Sequence, residues 1–355
     1  MTDARDPARG WRAYHLVYHE DRDRLLRELV LPLAASLAAE GELAGFFFIR
    51  YNLGGPHVRL RLLPADGRDA AVEGAVRAAA AAFFARAPSL RTLPDETVRM
   101  RNREVIPGDP FATAADDAVL PDNSIHAAPP AFEVERYGGA ERFAPSLDAF
   151  ALSSVDALAW LAQSGAPTAA ARLGEAWSAS VRHAWFAARD PDEFLRLLAA
   201  PVPSSESPLA TFAARADDAY ARGAAGMQAR IRDELARLAS ATVDGVDASR
   251  WTAGPRRLLP VMAEADDATR LRLAHSHAHM TCNRIGLLVA EEAYLGRMLW
   301  RAARDVADVS PDLWADAWAA RRAQWQAPPP PVAHLLPDAL ARLGEVSPTT
   351  ADLSS

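Results

Sequence analysis

Two arginines two residues apart follow a short turn near the N-terminus. Arg59 and Arg61 belong to the run His57-Val58-Arg59-Leu60-Arg61-Leu62, whose alternation predicts a β-strand. On a strand, alternate side chains leave the same face about 7 Å apart, so His57, Arg59 and Arg61 share a face. Two guanidinium groups at that spacing can bind carboxylates or peptide carbonyls. A solvated polar face with ordinary ion pairs fits the same pattern, and both interpretations stay open.

Three histidines, His275, His277 and His279, occupy alternate positions in a segment with helical periodicity. Only His275 and His279 have the i, i+4 spacing of a helical metal pair, and no glutamate stands where a zinc-protease motif needs one. A zinc site is therefore not expected.

The face of the predicted helix that carries His279 continues through Asn283 and reaches Tyr294 within roughly 60° at 3.6 residues per turn. This spacing predicts that an imidazole, an amide and a phenol line one cleft. His279 could exchange a proton near neutral pH, and Tyr294 could donate a hydrogen bond. The alternative is a set of satisfied polar groups where a helix meets a sheet.

A further polar segment runs from Glu133 to Tyr137 and ends at two glycines. Its alternation predicts a strand over residues 132–137, with Glu133 and Glu135 on one face. The two carboxylates could form an acid/base pair, but we favour a role in anchoring arginines. Ser153 and Ser154 are expected to cap a helix or to hydrogen-bond, because no nucleophile-elbow pattern surrounds them.

Composition excludes several kinds of chemistry. The sequence contains no lysine, so all 39 Lys and Arg residues are arginine, which rules out Schiff-base chemistry on a side-chain amine and a P-loop. The formal charge of −7 argues against general nucleic-acid binding, and the single Cys282 cannot form an internal disulfide. No apolar run is long enough to span a bilayer. The charged segment 1–10 resembles no secretory signal, so we expect a cytoplasmic protein.

The periodicity predicts strands early in the chain and helices late. Predicted strands cover residues 11–19, 46–51, 57–63, 97–105 and 132–137; predicted helices cover 21–39, 67–86, 140–163, 168–188, 208–239, 266–304 and 313–325. Residues 107–130 are expected to form a loop. The prediction is an α+β fold, with a helix-backed antiparallel sheet in the N-terminal half, a mostly helical C-terminal half and a flexible Pro-rich tail over residues 327–355.

Three of these segments, in this order, resemble the small C-terminal domain of lantibiotic dehydratases, a family that includes free-standing proteins of thiopeptide biosynthesis. The segments are Phe47-Phe48-Ile49-Arg50-Tyr51 with Gly55-Pro56-His57-Val58-Arg59-Leu60-Arg61, then Glu133-Val134-Glu135-Arg136-Tyr137-Gly138-Gly139, then His279-Met280 with Asn283-Arg284. The resemblance covers residues 11–304. It implies a single domain over residues 11–326, sheet-rich over 11–139 and helical over 140–326, with the fold of the small elimination domain.

The resemblance implies an enzyme that modifies a precursor peptide without a cofactor or a metal. The favoured activity is that of a pyridine synthase, which joins two dehydroalanines in a formal [4+2] cycloaddition with loss of water and of the leader peptide. The alternatives are glutamate elimination from glutamylated Ser or Thr, and a non-catalytic scaffold that binds the leader. The implied partners are the precursor peptide, with its leader and dehydroalanine-containing core, and a pathway dehydratase; neither nucleic acid nor membrane is implied.

The same resemblance, with the spacing above, suggests the site residues. The candidate catalytic residues are His279, Tyr294 and Arg59. The candidate substrate-binding residues are Arg50, His57, Arg61, Ser154, Asn283 and Arg284.

Overall fold

The computed structural model describes residues 8–90, 93–105, 118–199, 210–241 and 250–325, which fall into two compact units. The sheet unit contains the described residues up to Glu133 together with Ser154–Ala166. The helical unit contains Val134–Ser153 and the described residues from Pro167 onward. The tail predicted over residues 327–355 lies outside the described residues, and one domain over residues 11–326 stays a prediction.

Four antiparallel strands form the sheet in the order β2-β3-β1-β4. They are β1 (Arg12–Val17), β2 (Leu43–Tyr51), β3 (His57–Pro64) and β4 (Ser124–Ala128). The predicted strand at residues 11–19 and the predicted hairpin are confirmed. Strand β4 corrects the prediction of a loop over residues 107–130, of which residues 107–117 lie outside the described part of the chain.

Helices cover one face of the sheet. Val58, Leu60 and Leu62 are buried on this face, as the alternation of β3 predicts. Arg50 lies opposite Val58 in the register and forms an ion pair with Asp23 of the first helix, with 2.6 Å between nitrogen and oxygen. The helices of this unit are α1 (Arg22–Leu25), a π turn (Leu26–Val30), α2 (Leu31–Ala39), α3 (Asp69–Arg86) and α4 (Asp95–Val105).

Helix α4 corrects the prediction of a strand over residues 97–105. Val98 and Asn102, four residues apart, are buried, whereas Met100 between them is 51% exposed. A strand would have placed all three on one face. Pro94 followed by Asp95 and Glu96 is a helix-start signal that outweighs the alternation.

The helical unit begins with short 3-10 turns at Val134–Tyr137 and Ala140–Arg142. The first of these corrects the strand predicted over residues 132–137. Its Tyr137 is buried and packs against Phe150 and His277, with ring centroids 5.0 and 5.1 Å apart. Gly138 and Gly139 both have positive φ, so the backbone turns in a conformation that other residues rarely adopt.

Nine α-helices follow among the described residues. They are α5 (Ala144–Ser164), α6 (Ala169–Ala187), α7 (Pro191–Leu198), α8 (Ala210–Ser240), α9 (Ala253–Arg257), α10 (Leu259–Glu264), α11 (Asp267–Ile285), α12 (Val289–Val309) and α13 (Pro311–Trp325). In the described part of the chain, no helix is both long and apolar enough to cross a bilayer.

The single helix predicted over residues 266–304 is instead two helices, α11 and α12. Gly286 ends α11 with φ +102°, and its N–H donates to the carbonyls of Cys282 and Asn283, both at 3.0 Å. A left-handed glycine is a common helix terminator. Helix α12 starts three residues later. The two helices therefore run in independent directions, and the face on which a residue of α12 lies cannot be counted from α11.

Histidines are buried in the core of the helical unit. His183 Nδ1 lies 2.9 Å from the Ala179 carbonyl and Nε2 lies 3.2 Å from Thr281 Oγ1. The carbonyl can only accept, so Nδ1 carries the proton in the neutral ring. The Thr281 hydroxyl donates to the His277 carbonyl at 3.0 Å and also contacts Nε2 of His183. Burial lowers the pKa of His183 to about 4.

We expect Ser154→Ala to lower the free energy of unfolding by about 1–3 kcal/mol. The Phe48 N–H on the β2 edge donates to Ser154 Oγ at 3.2 Å, and both residues are fully buried, so the substitution leaves the N–H without this acceptor. Urea unfolding measures the loss. The matched control is Ser153→Ala, whose hydroxyl donates only within its own helix. Equal losses of stability in the two variants would contradict the assignment of Ser154 as the acceptor for the Phe48 N–H.

We expect acidification from pH 7 to pH 4 to destabilise the protein partly through His183. The pKa of His183 is about 4 in the folded state and 6.5 in the unfolded chain. Between these two pH values the unfolded chain therefore binds more protons than the folded protein does. Stability from this group is therefore full above pH 6.5 and falls as the pH drops, by about 3 kcal/mol in total. His183→Gln should flatten this part of the pH dependence of unfolding. The half-exposed His126, changed to Gln, is the control, and the same slope in wild type and His183→Gln would refute the prediction.

Candidate functional site

A cavity of about 450 Å³ lies within the helical unit, between helices α6, α7, α11 and α12. Most of its wall is apolar, as in many small-molecule sites. The apolar lining includes Ala184, Leu197, Leu198, Val289, Leu295 and Leu299. Of the six residues that helix α11 contributes to the wall, residues 275, 278, 279 and 282 form a stripe at helical spacing.

A histidine and a glutamate from different helices meet at the polar end of this cavity. His279 Nδ1 on α11 lies 2.8 Å from Glu292 Oε2 on α12. Both side chains line the cavity, and they are 34% and 16% exposed. Because Nδ1 is committed to the carboxylate, Nε2 is the ring nitrogen available to a ligand. The pair has the arrangement of a general base with its orienting carboxylate.

Burial is the main cause that raises the pKa of Glu292, and the hydrogen bond from His279 opposes it. Glu292 Oε1 is also buried, and it has no hydrogen-bond partner among the described residues. A buried carboxylate oxygen without a donor is costly. A ligand that donated a hydrogen bond to Oε1 would remove that cost.

Two other polar groups face the same cavity. Arg136, from the first 3-10 turn, donates from Nε to Ser276 Oγ at 3.0 Å, which fixes a cation in the wall. His275 also lines the cavity; burial lowers its pKa, and its Nε2 has no partner in the described residues. A neutral imidazole nitrogen without a partner can accept a hydrogen bond from a ligand.

Cys282 lines the cavity but is not set up as a nucleophile. Burial, foremost, raises the pKa of its thiol far above the ordinary value, and Sγ lies 3.9 Å from Ser180 Oγ. The thiol therefore stays protonated and unreactive near neutral pH. The described residues contain no group of three or more side chains that could hold a metal ion.

Tyr294 lies in a different cavity from His279. This second cavity, of about 420 Å³, is lined by Tyr294, Glu291, Phe212, Leu173 and three charged residues of α8. The expected 60° separation assumed one continuous helix from His279 to Tyr294, and Gly286 breaks that helix. On α12, Tyr294 is two residues from Glu292 and therefore about 200° around the helix from it.

Two predicted residues of the sheet unit, Arg59 and His57, pack against Tyr51 on the polar face of the sheet. The Arg59 guanidinium carbon lies 3.3 Å from the centre of the Tyr51 ring, and the His57 ring packs edge-on against the same tyrosine. His57 is buried, and its Nδ1 lies 2.8 Å from the Gly55 carbonyl. Burial lowers the pKa of His57 well below its ordinary value, so the ring is neutral.

Arg61 is buried without a counter-charge among the described residues. It is 3% exposed, and its Nη1 has no hydrogen-bond partner in the described part of the chain. Burial, with a smaller contribution from Arg59, lowers its pKa to about 10, so it stays charged at neutral pH. An unpaired buried cation is strongly destabilising. Arg50 differs, because its charge is paired with Asp23.

The remaining predicted residues have structural contacts. Ser154 accepts the Phe48 N–H, as described above. Arg284 is fully buried, donates to the Met280 carbonyl at 3.0 Å and lies over the Phe150 ring, and burial lowers its pKa to about 9. Asn283 accepts the Gly286 N–H through its carbonyl at the end of α11. None of these contacts tests a role in substrate binding, and those roles stay predictions.

Sequence reasoning gave no role to three residues of the cavity: Glu292, Arg136 and His275. The Gly286 that follows Ile285 is a helix-end signal, and the pair Glu291 and Glu292 is typical of a first helical turn. Those two signals together could have indicated a new helix start. The meeting of Arg136 with Ser276, far apart in sequence, has no local signal.

Three solved structures share the fold of this chain. The pyridine synthase TbtD from thiomuracin biosynthesis is 21% identical, with a TM-score of 0.66, over 84% of this chain and 99% of that protein. The tRNA-dependent lantibiotic dehydratase MibB from Microbispora sp. 107891 is 19% identical, with a TM-score of 0.55, over 85% of this chain and 28% of that protein. TsrL is 16% identical, with a TM-score of 0.56, over 88% of this chain and 97% of that protein.

At these identities the likeness concerns the fold, and it confirms the predicted α+β class. A comparison with curated protein sequences gave no match. The model of one family, described as the lantibiotic biosynthesis dehydratase C-terminal family, matches residues 11–303, which confirms the resemblance found in the motifs. Because this match covers most of the sequence, the chain belongs to the lantibiotic biosynthesis dehydratase C-terminal family.

Proposed function

We propose that this protein is a thiopeptide macrocyclase, which forms a central pyridine by a formal [4+2] cycloaddition between two dehydroalanines of a precursor peptide. Water and the leader peptide are lost in the reaction. The observation that carries the proposal is the His279–Glu292 pair at the end of an apolar cavity of about 450 Å³. The fold shared with a pyridine synthase over 99% of that protein supports it.

The apolar wall suits the first part of this reaction. Two alkenes and one backbone amide must be held at near-attack distance, and positioning of this kind can supply about 7–11 kcal/mol of the barrier. A volume of about 450 Å³ lies within the range of cavities that enclose a drug-sized molecule. Leu197, Leu198, Leu295 and Leu299 would exclude water from the reacting carbons.

The His279–Glu292 pair suits the proton transfers. The cycloaddition needs one backbone amide as its iminol tautomer, and aromatisation then requires loss of a hydroxyl and of the leader amide, which both take up a proton. His279 can take a proton through Nε2 and return it, while Glu292 stabilises the imidazolium that forms meanwhile. One group can thus serve the successive steps, and no cofactor is part of this proposal.

Arg136 and His275 are suited to hold the reacting amide. The Arg136 guanidinium, fixed through Ser276, can stabilise negative charge that develops on an amide oxygen. His275 Nε2 can accept a hydrogen bond from an amide N–H. For Arg59 and Arg61 we retain the proposal that they hold peptide carbonyls, which the uncompensated burial of Arg61 supports. Tyr294 would contact the peptide outside the main cavity.

We expect the purified protein to convert a dehydrated, azole-bearing precursor peptide into a macrocycle and a released leader carboxamide. Mass spectrometry measures both products. Incubation of the same protein with a glutamylated peptide tests the alternative, glutamate elimination. The observation that supports this alternative is the fold shared with MibB over 85% of this chain. Loss of glutamate without macrocycle would replace the proposal by the alternative. Binding without any covalent change would replace it by the scaffold hypothesis.

We expect His279→Gln to lower kcat about 10² to 10⁴-fold, the range for removal of a general acid or base. Glu292→Gln should lower kcat about 10² to 10⁴-fold, because it replaces the carboxylate charge that stabilises the protonated His279 with a neutral amide. Steady-state kinetics should show little change in KM for either variant.

The matched control for the glutamate is its neighbour, Glu291→Gln. Glu291 lines the second cavity, and its carboxylate accepts the Leu288 N–H at 2.8 Å, which the amide oxygen of glutamine can also do. This variant should keep the wild-type kcat. Equal losses of kcat for Glu291→Gln and Glu292→Gln would contradict the assignment of the proton-transfer pair.

A further inference from the structure

We infer that the outer edge of strand β4 binds an extended, acidic segment of the precursor peptide as an additional β-strand. The identity of the peptide rests on the proposed function, whereas the edge itself is a feature of the sheet. Strand addition supplies affinity through backbone hydrogen bonds and specificity through alternate side chains.

The sheet register shows which backbone groups of β4 point outward. The Tyr18 N–H donates to the Pro56 carbonyl at 3.1 Å, so Tyr18 faces β3, and alternate residues of β1 face opposite sides. Ala13, His15 and Val17 therefore face β4. Their partners in the register are Ala128, His126 and Ser124, which bond inward. The N–H and C=O groups of Ile125 and Ala127 must then point away from the sheet.

These outward groups have no hydrogen-bond partner in the described part of the chain. Strand β4 is last in the sheet order and pairs only with β1 among the described strands. Ala127 is exposed and Ile125 is half-buried, so the edge is accessible in the unit that contains it. The opposite edge differs, because Ser154 accepts the Phe48 N–H there. A side chain thus accepts one backbone N–H at the β2 edge, and the described residues supply no such acceptor at the β4 edge.

The shape of β4 favours a short peptide over a second copy of the chain. The strand has five residues, and prolines at 121, 129 and 130 flank it. Proline cannot donate a backbone hydrogen bond, and short edges flanked by proline resist pairing between whole sheets. A peptide segment of three to five residues is short enough to pair along the five residues of this strand.

The charge on the polar face of the sheet favours an acidic peptide. Arg59, His15 and His126 lie side by side across β3, β1 and β4. None of the residues that the four described strands place on this face is acidic. An added strand would continue the row, so its residue opposite His126 would meet an imidazole, which can donate a hydrogen bond to a carboxylate. When that imidazole is protonated, opposite charges on directly facing strand positions add to the stabilisation.

The test uses two fluorescein-labelled synthetic peptides, one of alternating Glu and Val and one of alternating Lys and Val, with the full chain. Fluorescence anisotropy should show tighter binding of the Glu/Val peptide. Ala127→Pro removes one outward N–H and leaves the inward bonds of Ser124, His126 and Ala128 in place. This variant should bind the Glu/Val peptide at least tenfold more weakly, whereas the control Ala127→Val, which keeps the N–H, should bind like wild type.

A second variant keeps the test valid if the proline disturbs the fold. His126→Asp should reverse the preference, so that the Lys/Val peptide binds more tightly than the Glu/Val peptide. Unchanged affinity in Ala127→Pro, checked by an unchanged melting temperature, would overturn the inference. So would an unchanged preference in His126→Asp. A concentration-dependent dimer in wild type that Ala127→Pro abolishes would instead assign the edge to a second copy.

The inference and the proposed function can fail separately. If the edge binds the precursor peptide, Ala127→Pro should raise KM for cyclisation about tenfold and leave kcat unchanged. Cyclisation with an unchanged KM in this variant would overturn peptide binding at the β4 edge but would leave the proposed function standing. The wild-type protein could also produce no macrocycle and still lose its binding of the Glu/Val peptide on the Ala127→Pro substitution. That result would support peptide binding at the β4 edge and overturn the proposed function.

Discussion

A hydrogen bond between His279 and Glu292 joins helices α11 and α12. These two helices have separate directions because Gly286 ends the first of them. In one unbroken helix the two residues, 13 positions apart, would lie about 220° apart around the axis and could not meet. The left-handed conformation at Gly286 ends α11 and lets α12 turn Glu292 toward the preceding helix. The polar end of the cavity therefore depends on one residue without a side chain.

Burial of charge is the second constraint on this structure. The chain has only arginine as its strong base, and an arginine keeps its charge in surroundings that would neutralise a lysine. Several buried arginines are paired, as Arg270 is with Glu193 at 2.7 Å and Arg50 with Asp23 at 2.6 Å. Arg61 has no such pair among the described residues, and Glu292 has one oxygen without a donor. Each of these two groups therefore carries a cost of burial that the described residues do not offset.

The two edges of the sheet illustrate how the fold handles unpaired backbone. Ser154, from a helix, supplies an acceptor to β2, whereas β4 has no corresponding side chain in the described residues. The cavity of the helical unit and the edge of β4 are different kinds of site. The first is an apolar cavity with a hydrogen-bonded histidine and glutamate, and the second is a strand edge with backbone N–H and C=O groups.

Much of the fold could be predicted from local pattern, because alternation and helical spacing report which faces are buried. The hairpin of β2 and β3, helix α3 and the motifs that place the chain in its family were all accessible in this way. The strands predicted at residues 97–105 and 132–137 were wrong, since short alternating runs also fit helical turns when Asn102 or Tyr137 is the buried residue. Pairings between distant segments, such as Glu292 with His279 and Arg136 with Ser276, were decided by tertiary structure alone. They depend on where one helix stops and how the next one packs, and no local periodicity contains that information.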